Sequence, residues 1–138
     1  MRAILIFAAA SGFAAVAVGA MGAHMLRGRL DTRAIDWIET AVRYQMWHAL
    51  ALLAAAALMA WRPGRPGRPG RPGRSGRSLV VAGWAWAAGT VLFSGGLYLL
   101  AFTGIGAFAS IVPFGGAAFL VGWAALVWYG VSALRPYP

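Results

Sequence analysis

The sequence predicts an all-α fold: an integral membrane four-helix bundle, both termini cytoplasmic, with a short outer amphipathic helix preceding span two. Three observations carry that prediction. Four stretches of the 138 residues are apolar and long enough to cross a bilayer. Hydrophobic residues make up 61% and charged residues 11%, against roughly 45–50% and about 25% in soluble domains. The arginines are also shared unevenly between the two ends of the apolar stretches.

A helix rises about 1.5 Å per residue and the hydrocarbon core is about 30 Å thick, so about 20 residues cross it. Span one, 3–26, has His24 as its only ionisable group. Span two, 44–61, contains Gln45 and His48. Spans three and four, 79–102 and 111–134, contain only Tyr98 and Tyr129 among titratable groups. Residues 1–138 then form one membrane domain, because the connecting segments are too short to bury a soluble core. The start of the chain also fits a secretory signal: Arg2, the apolar Ile4–Ala17, then Val18-Gly19-Ala20. The apolar run continues to Leu26, which favours a retained span.

Arginine placement sets the orientation. Arg2, six arginines between Arg62 and Arg77, and Arg135 fall on one side, with no acid. Arg27, Arg29, Arg33 and Arg43 fall on the other, with Asp31, Asp36 and Glu39. The positive-inside rule puts both termini and the 62–78 loop in the cytoplasm. Loop 62–78 repeats Arg-Pro-Gly four times. Its three-residue glycine period is that of collagen, but there are too few triplets for a triple helix. A solvated linker whose arginines attract anionic lipid headgroups is expected, at about 1 kcal/mol per arginine near the surface. The loop has no aromatic residue on which a base could stack, so no nucleic-acid partner is expected.

Segment 31–43 reads as the start of the second helix. Asp31 suits an N-cap, and Ile35, Ile38 and Val42 recur at helical spacing. Glu39 and Arg43 stand in the favourable i, i+4 order. Run unbroken to Trp61, this helix would be about 46 Å long, so its first turns lie outside or along the interface. Thr103-Gly-Ile-Gly106 reads as a tight turn. Pro113 fits a first helical turn and no later one, which leaves 107–112 as a separate interfacial turn.

In lipid, helices associate through close backbone approach and polar contacts. Gly12, Gly19 and Gly22 in span one, Gly95 and Gly96 in span three, and Gly115, Gly116 and Gly122 in span four are the expected packing positions. His24 lies opposite the Ser11–Gly22 small-residue face, so the first helix is expected to have two contact faces and a central place.

Ionisable residues within a membrane are functional candidates. His24 and His48 fall at similar depth, and three roles are open to them. They could ligate haem or a metal, relay protons, or hold the outer end of the bundle by hydrogen bonds. Two histidines without nearby carboxylates are a weak metal signal. The chain has no cysteine, which excludes thiolate chemistry. No span holds Asp, Glu or Lys, and no phosphate-loop, G-x-S-x-G or H-E-x-x-H pattern is present. No enzyme activity, cofactor or metal is expected.

Several strings are more specific. Gly19-Ala-Met-Gly-Ala-His24 ends span one, and Trp37-Ile-Glu-Thr-Ala-Val-Arg-Tyr-Gln-Met-Trp-His48 leads into span two. Gly89-Thr-Val-Leu-Phe-Ser-Gly-Gly-Leu-Tyr98 lies in span three, and Pro113-Phe-Gly-Gly116 with Gly122-Trp123 in span four. In order and spacing, from about residue 4 to 130, the chain resembles the small inner-membrane family called domain of unknown function 423. The Arg-Pro-Gly loop departs from that pattern, where the connection is short. The resemblance implies an uncleaved first span and four membrane helices, and supplies no activity. The family-like positions are Gly22, His24, Glu39, Tyr44, Gln45, His48, Ser94, Gly95, Tyr98, Pro113 and Gly116. The polar ones, His24, Glu39, Tyr44, Gln45, His48, Ser94 and Tyr98, are expected to form one polar cluster in the outer half. The expected function is a non-enzymatic binding or accessory component. Its partners would be the lipid bilayer and a membrane protein or a second copy of the chain. The alternatives are a small-solute or proton conductor using that cluster, and a haem- or metal-binding redox subunit.

Overall fold

A computed structural model describes residues 1–60 and 74–133. The four Arg-Pro-Gly repeats and Arg135, which carry the expected headgroup contacts and much of the charge asymmetry, lie outside the described residues. Helix α1 covers Arg2–Met21 and continues as a π-helical turn over Gly22–Leu26. The chain reverses through Gly28, whose φ of +93° is open to glycine at little cost. Asp31 then caps the next helix, its Oδ1 accepting from the Ala34 amide at 2.7 Å.

Helix α2 runs unbroken over Thr32–Ala60, 29 residues or about 44 Å. The amphipathic segment foreseen before span two is therefore its first turns and not a separate helix. Helix α3, Arg74–Gly89, a π-helical turn, Thr90–Ser94, and helix α4, Gly95–Thr103, run end to end. Arg74–Ser78, assigned to the loop on sequence grounds, are thus helical. Gly104 ends α4 at φ +69°, the left-handed conformation that closes many helices. A 3₁₀ turn, Gly106–Ser110, precedes α5, Val112–Ala133. Pro113 sits in the first turn of α5, as its missing amide requires.

The helices alternate in direction. Helix α2 packs against α1 on one side and against α3, the second π turn and α4 on the other, while α5 lies along α3 and that π turn. The central place therefore belongs to α2, and α1 is peripheral. Its small-residue face is buried at Ile4, Ala8, Ser11 and Ala15, whereas Ala17, Ala20 and His24 face outward. One contact face replaces the two expected. The reason is that nothing in the bundle packs beyond α1, so its second face has only lipid to meet.

Among the described residues, three helical stretches are long and apolar enough to cross a membrane: Arg2–Leu26, Gly76–Thr103 and Gly106–Ser132. Helix α2 does not meet that criterion, because Arg43, Tyr44, Gln45 and His48 lower its hydropathy. Gln45 and His48, however, are buried inside the bundle, so the face that α2 turns outward is more apolar than its sequence as a whole. Large apolar side chains such as Ile6, Phe13, Leu120 and Val127 are more than 60% exposed, and surface of that kind calls for lipid around it.

Two apolar clusters bracket the interior. Ile4, Ala8, Leu52, Ala55, Ala82, Trp86 and Phe119 fill the half nearer Arg2. Ala34, Ile38 and Ala101, with Val18, Val42 and Trp37, fill the end nearer Arg27.

Candidate functional site

Ala41, Gln45, His48 and Leu52 recur along α2 at helical spacing and are all buried, so its polar groups point into the bundle. Gln45 spans two interfaces. Its Nε2 donates to the Ser11 carbonyl of α1 at 3.1 Å, and its Oε1 accepts from the Tyr98 hydroxyl of α4 at 2.7 Å. One turn away the Ser94 hydroxyl donates to the Ala41 carbonyl at 2.9 Å. These bonds tie α1, α2 and α4 together where hydrophobic drive between helices is absent. The Thr90 hydroxyl turns back to the Trp86 carbonyl at 2.9 Å, a local bond that goes with bending of a helix. It sits where the π turn begins.

His48 stands apart from that set, on the side facing α5. Its Nδ1 lies 2.8 Å from the Tyr44 carbonyl, and its Nε2 accepts from the Trp123 indole at 3.3 Å. A carbonyl needs a donor and an indole N–H needs an acceptor. The ring is therefore the neutral tautomer protonated on Nδ1, assigned from its partners. Phe119 stacks on it with centroids 3.5 Å apart and planes 8° apart. Tyr44 packs on Phe93 at 4.6 Å and Trp86 on Trp123 at 4.9 Å, closing an aromatic column around the imidazole. A lipid-facing cleft of about 610 Å³ opens beside it, lined by Tyr44, Trp47, His48, Phe119 and Trp123 among others.

Among the described residues, two buried groups have no hydrogen-bond partner, the Ser11 hydroxyl and the Trp86 indole N–H. A side chain at Gly122 would collide with that indole, so the indole lies against a bare stretch of α5 backbone.

Five of the seven polar residues expected to form one cluster turn into the bundle, but in two groups: Gln45, Ser94 and Tyr98 on one side of α2, and Tyr44 with His48 on the side facing α5. The structure does not bring His24 or Glu39 to them. His24 is exposed on α1 and makes no hydrogen bond among the described residues. Glu39 is exposed and pairs with Arg27 at 3.4 Å, not with Arg43 four residues on. Its position nine residues before His48 puts it on the other side of α2. The Ser11 carbonyl, Phe119 and Trp123 were not among the expected site residues. Helical phase offered one signal for them, since Gly115, Phe119 and Gly122 share a face of α5.

The expected packing glycines divide in the same way. A Cβ at Gly12, Gly19 or Gly22 would meet α2, and one at Gly96 would meet Val112. Gly115 lies on the Phe93 backbone and Gly122 on Trp86. Gly95 and Gly116 have nothing within 4 Å of an added Cβ, so they pack no neighbour. Gly89, against Phe119 and the Gly115 carbonyl, does.

Chemically, this network is largely closed on itself. Both nitrogens of His48 are engaged, and the hydroxyl protons of Ser94 and Tyr98 are committed. No group of three or more His, Cys, Asp or Glu that could hold a metal occurs among the described residues.

Known proteins agree with this framework. Residues 18–116 match the family described as protein of unknown function DUF423. The UPF0382 inner membrane protein YgdD of Escherichia coli K12 is 40% identical over 97% of this chain and 91% of its own length. The UPF0382 membrane protein YwdK of Bacillus subtilis is 37% identical over 97% of this chain and all of its own. A UPF0382 membrane protein of Haemophilus influenzae is 40% identical over 90% of each chain. No solved structure matches. With a membrane-type helical bundle and relatives named as membrane proteins along nearly its whole length, the chain belongs to the DUF423 family of integral membrane proteins.

Proposed function

We propose that the protein is a non-enzymatic binding or accessory component of the cell inner membrane. In this reading four spans cross the bilayer, α2 being the second, and both termini with the Arg-Pro-Gly loop face the cytoplasm. The observation that carries it is the closure of the polar network. Gln45, Ser94, Tyr98 and His48 spend their hydrogen bonds on one another, on helix carbonyls and on Trp123. Such groups fix a unique bundle, and they leave no activated nucleophile or general base.

Conduction is the rival reading, and the apolar half of the interior argues against it. Ile4, Ala8, Leu52, Ala55 and Trp86 are at most 2% exposed, so a proton or small solute leaving the network toward the Arg2 end meets an interior packed mainly with apolar side chains. Haem or metal ligation through His48 would first have to break its bond to Trp123, and His24 is not placed to supply a second ligand.

The test is reconstitution of the full chain in liposomes with a trapped pH indicator and, separately, the absorption spectrum and metal content of protein from its native membrane. The expected result is passive proton leak unchanged from empty liposomes, with no chromophore. Flux above background that falls in both His48→Ala and Tyr98→Phe would overturn the reading. So would a Soret band, or stoichiometric metal, lost with His48.

A further inference from the structure

We propose that the groove between α1 and α2 at the Arg27 end is a binding site for a zwitterionic phospholipid headgroup of the phosphoethanolamine type. The proposal deepens the binding role above and rests on it.

The groove has a volume of about 310 Å³ and opens to the surroundings. Its floor exists because α1 carries glycine where α2 carries branched side chains. Gly19 faces Val42, and Gly22 faces Ile38. Glu39 and Arg43 line the same groove. They are four residues apart on one helix, so their side chains leave α2 one above the other, separated along the axis by about 6 Å.

The site thus combines an apolar floor, one anion and one cation about a helical turn apart. Phosphoethanolamine has the matching pattern, a phosphate and an ammonium joined by two carbons, attached to acyl chains that an apolar floor can accept. Arg43 is the group for the phosphate, since its guanidinium offers forked donors. Among the described residues it has no ion-pair partner, although Glu39 stands in the position that favours one. Glu39 is the group for the ammonium. It is only loosely held, at 3.4 Å from Arg27 with 52% of its side chain exposed, so a second cation can approach it. The carboxylate also sets the selectivity: an anionic headgroup without an ammonium would face Glu39 with nothing to offer it. Tyr44 and Trp47 follow directly on α2, and such residues favour the headgroup level of a bilayer, which puts the charged pair at the depth of the phosphates.

The experiment uses the full chain in mild detergent. Native mass spectrometry counts the lipid retained from equimolar phosphatidylethanolamine and phosphatidylglycerol. The wild type is expected to retain the ethanolamine lipid preferentially. Glu39→Gln and Arg43→Gln are each expected to weaken its retention about tenfold, and Glu39→Gln to bring the two lipids toward parity. Arg27→Gln breaks the same ion pair and leaves both headgroup-binding groups, so its retention is expected to stay near wild type. Soluble phosphoethanolamine, which has no acyl chain, is expected to compete poorly.

Equal retention of both lipids by the wild type, unchanged retention in the Glu39 and Arg43 variants, or a loss in Arg27→Gln as large as in Glu39→Gln would each overturn the site. Competition by soluble phosphoethanolamine as effective as by lipid would reassign it to a free metabolite. Failure here leaves the liposome leak at background, whereas failure of the wider binding reading shows as flux or a chromophore. The two are therefore separable.

Discussion

Gly115 and Gly116 are adjacent and chemically identical, yet the structure gives them opposite roles. An added Cβ at Gly115 would sit 2.7 Å from the Phe93 Cβ and 2.8 Å from its Cα. Carbon atoms rest at about 3.5–4.0 Å, so α5 would have to retreat by about 1 Å. Backbone atoms cannot rotate aside as a flexible side chain can. The retreat would also pull Trp123 from His48, whose bond is already 3.3 Å long, and loosen the Phe119 stack. Overpacking of this kind costs about 1–3 kcal/mol, and an interhelical hydrogen bond in a membrane averages about 0.6 kcal/mol. Against that stands the better helix propensity of alanine, up to about 1 kcal/mol. Gly115→Ala is therefore expected to lose about 1–3 kcal/mol. Gly116→Ala meets open space and is expected to be neutral or to gain up to about 1 kcal/mol. Reversible unfolding in mixed micelles, followed by tryptophan fluorescence, measures both. Stabilities of the two variants within about 0.5 kcal/mol of each other would refute the assignment of Gly115 as the α5 contact point, since that is the usual scatter of substitutions at sites without special features.

Four further outcomes follow from named contacts. A double-mutant cycle on Gln45→Ala and Tyr98→Phe should give a coupling of about 0.6–1.7 kcal/mol, the range of hydrogen bonds between membrane helices; a coupling of zero would mean that the 2.7 Å bond contributes nothing. Nitrogen NMR of labelled protein should show His48 as the neutral Nδ1–H tautomer, with its Nε2 signal moved by Trp123→Phe and left in place by Trp84→Phe. Asp31→Ala should cost about 1 kcal/mol through loss of the α2 cap, and Asp31→Asn much less, read from the same unfolding curves. His24→Ala should leave stability within about 0.5 kcal/mol of wild type, whereas His48→Ala should lose several times that by opening a cavity under Phe119.

Much of the fold was legible because it rests on local signals. Apolar length marked α1, the α3–α4 run and α5, the Asp31 cap marked the start of α2, and Gly104 with Pro113 marked the last turn. The candidate site was legible only in part, and the division has a physical cause. Gln45, His48, Ser94 and Tyr98 are polar residues inside apolar runs, which the cost of an unsatisfied group in lipid makes conspicuous. Their partners were not conspicuous. The Ser11 and Ala41 carbonyls belong to every helix, and Phe119 and Trp123 look like lipid-facing aromatics until the rotation of α5 is known. His24 was misplaced for a related reason. Depth along a helix follows from counting residues, but which face meets a neighbour depends on where other helices pack, and α2 and α3 both meet α1 on the face away from His24.

The same reasoning accounts for the low hydropathy of α2. Helix α2 carries Gln45 and His48 because it is surrounded: α1, α4 and α5 each supply a partner for one of its polar groups. Removed from the bundle, those groups would face hydrocarbon unpaired. With their partners in place the face that α2 turns to lipid keeps Leu50 and Leu53. The polarity that weakens α2 as an isolated span is therefore what makes it the helix around which the others assemble. It also follows that a variant breaking several of these bonds at once should harm the placement of α2 before that of α1 or α5, whose apolar sequences suffice to hold them in the membrane.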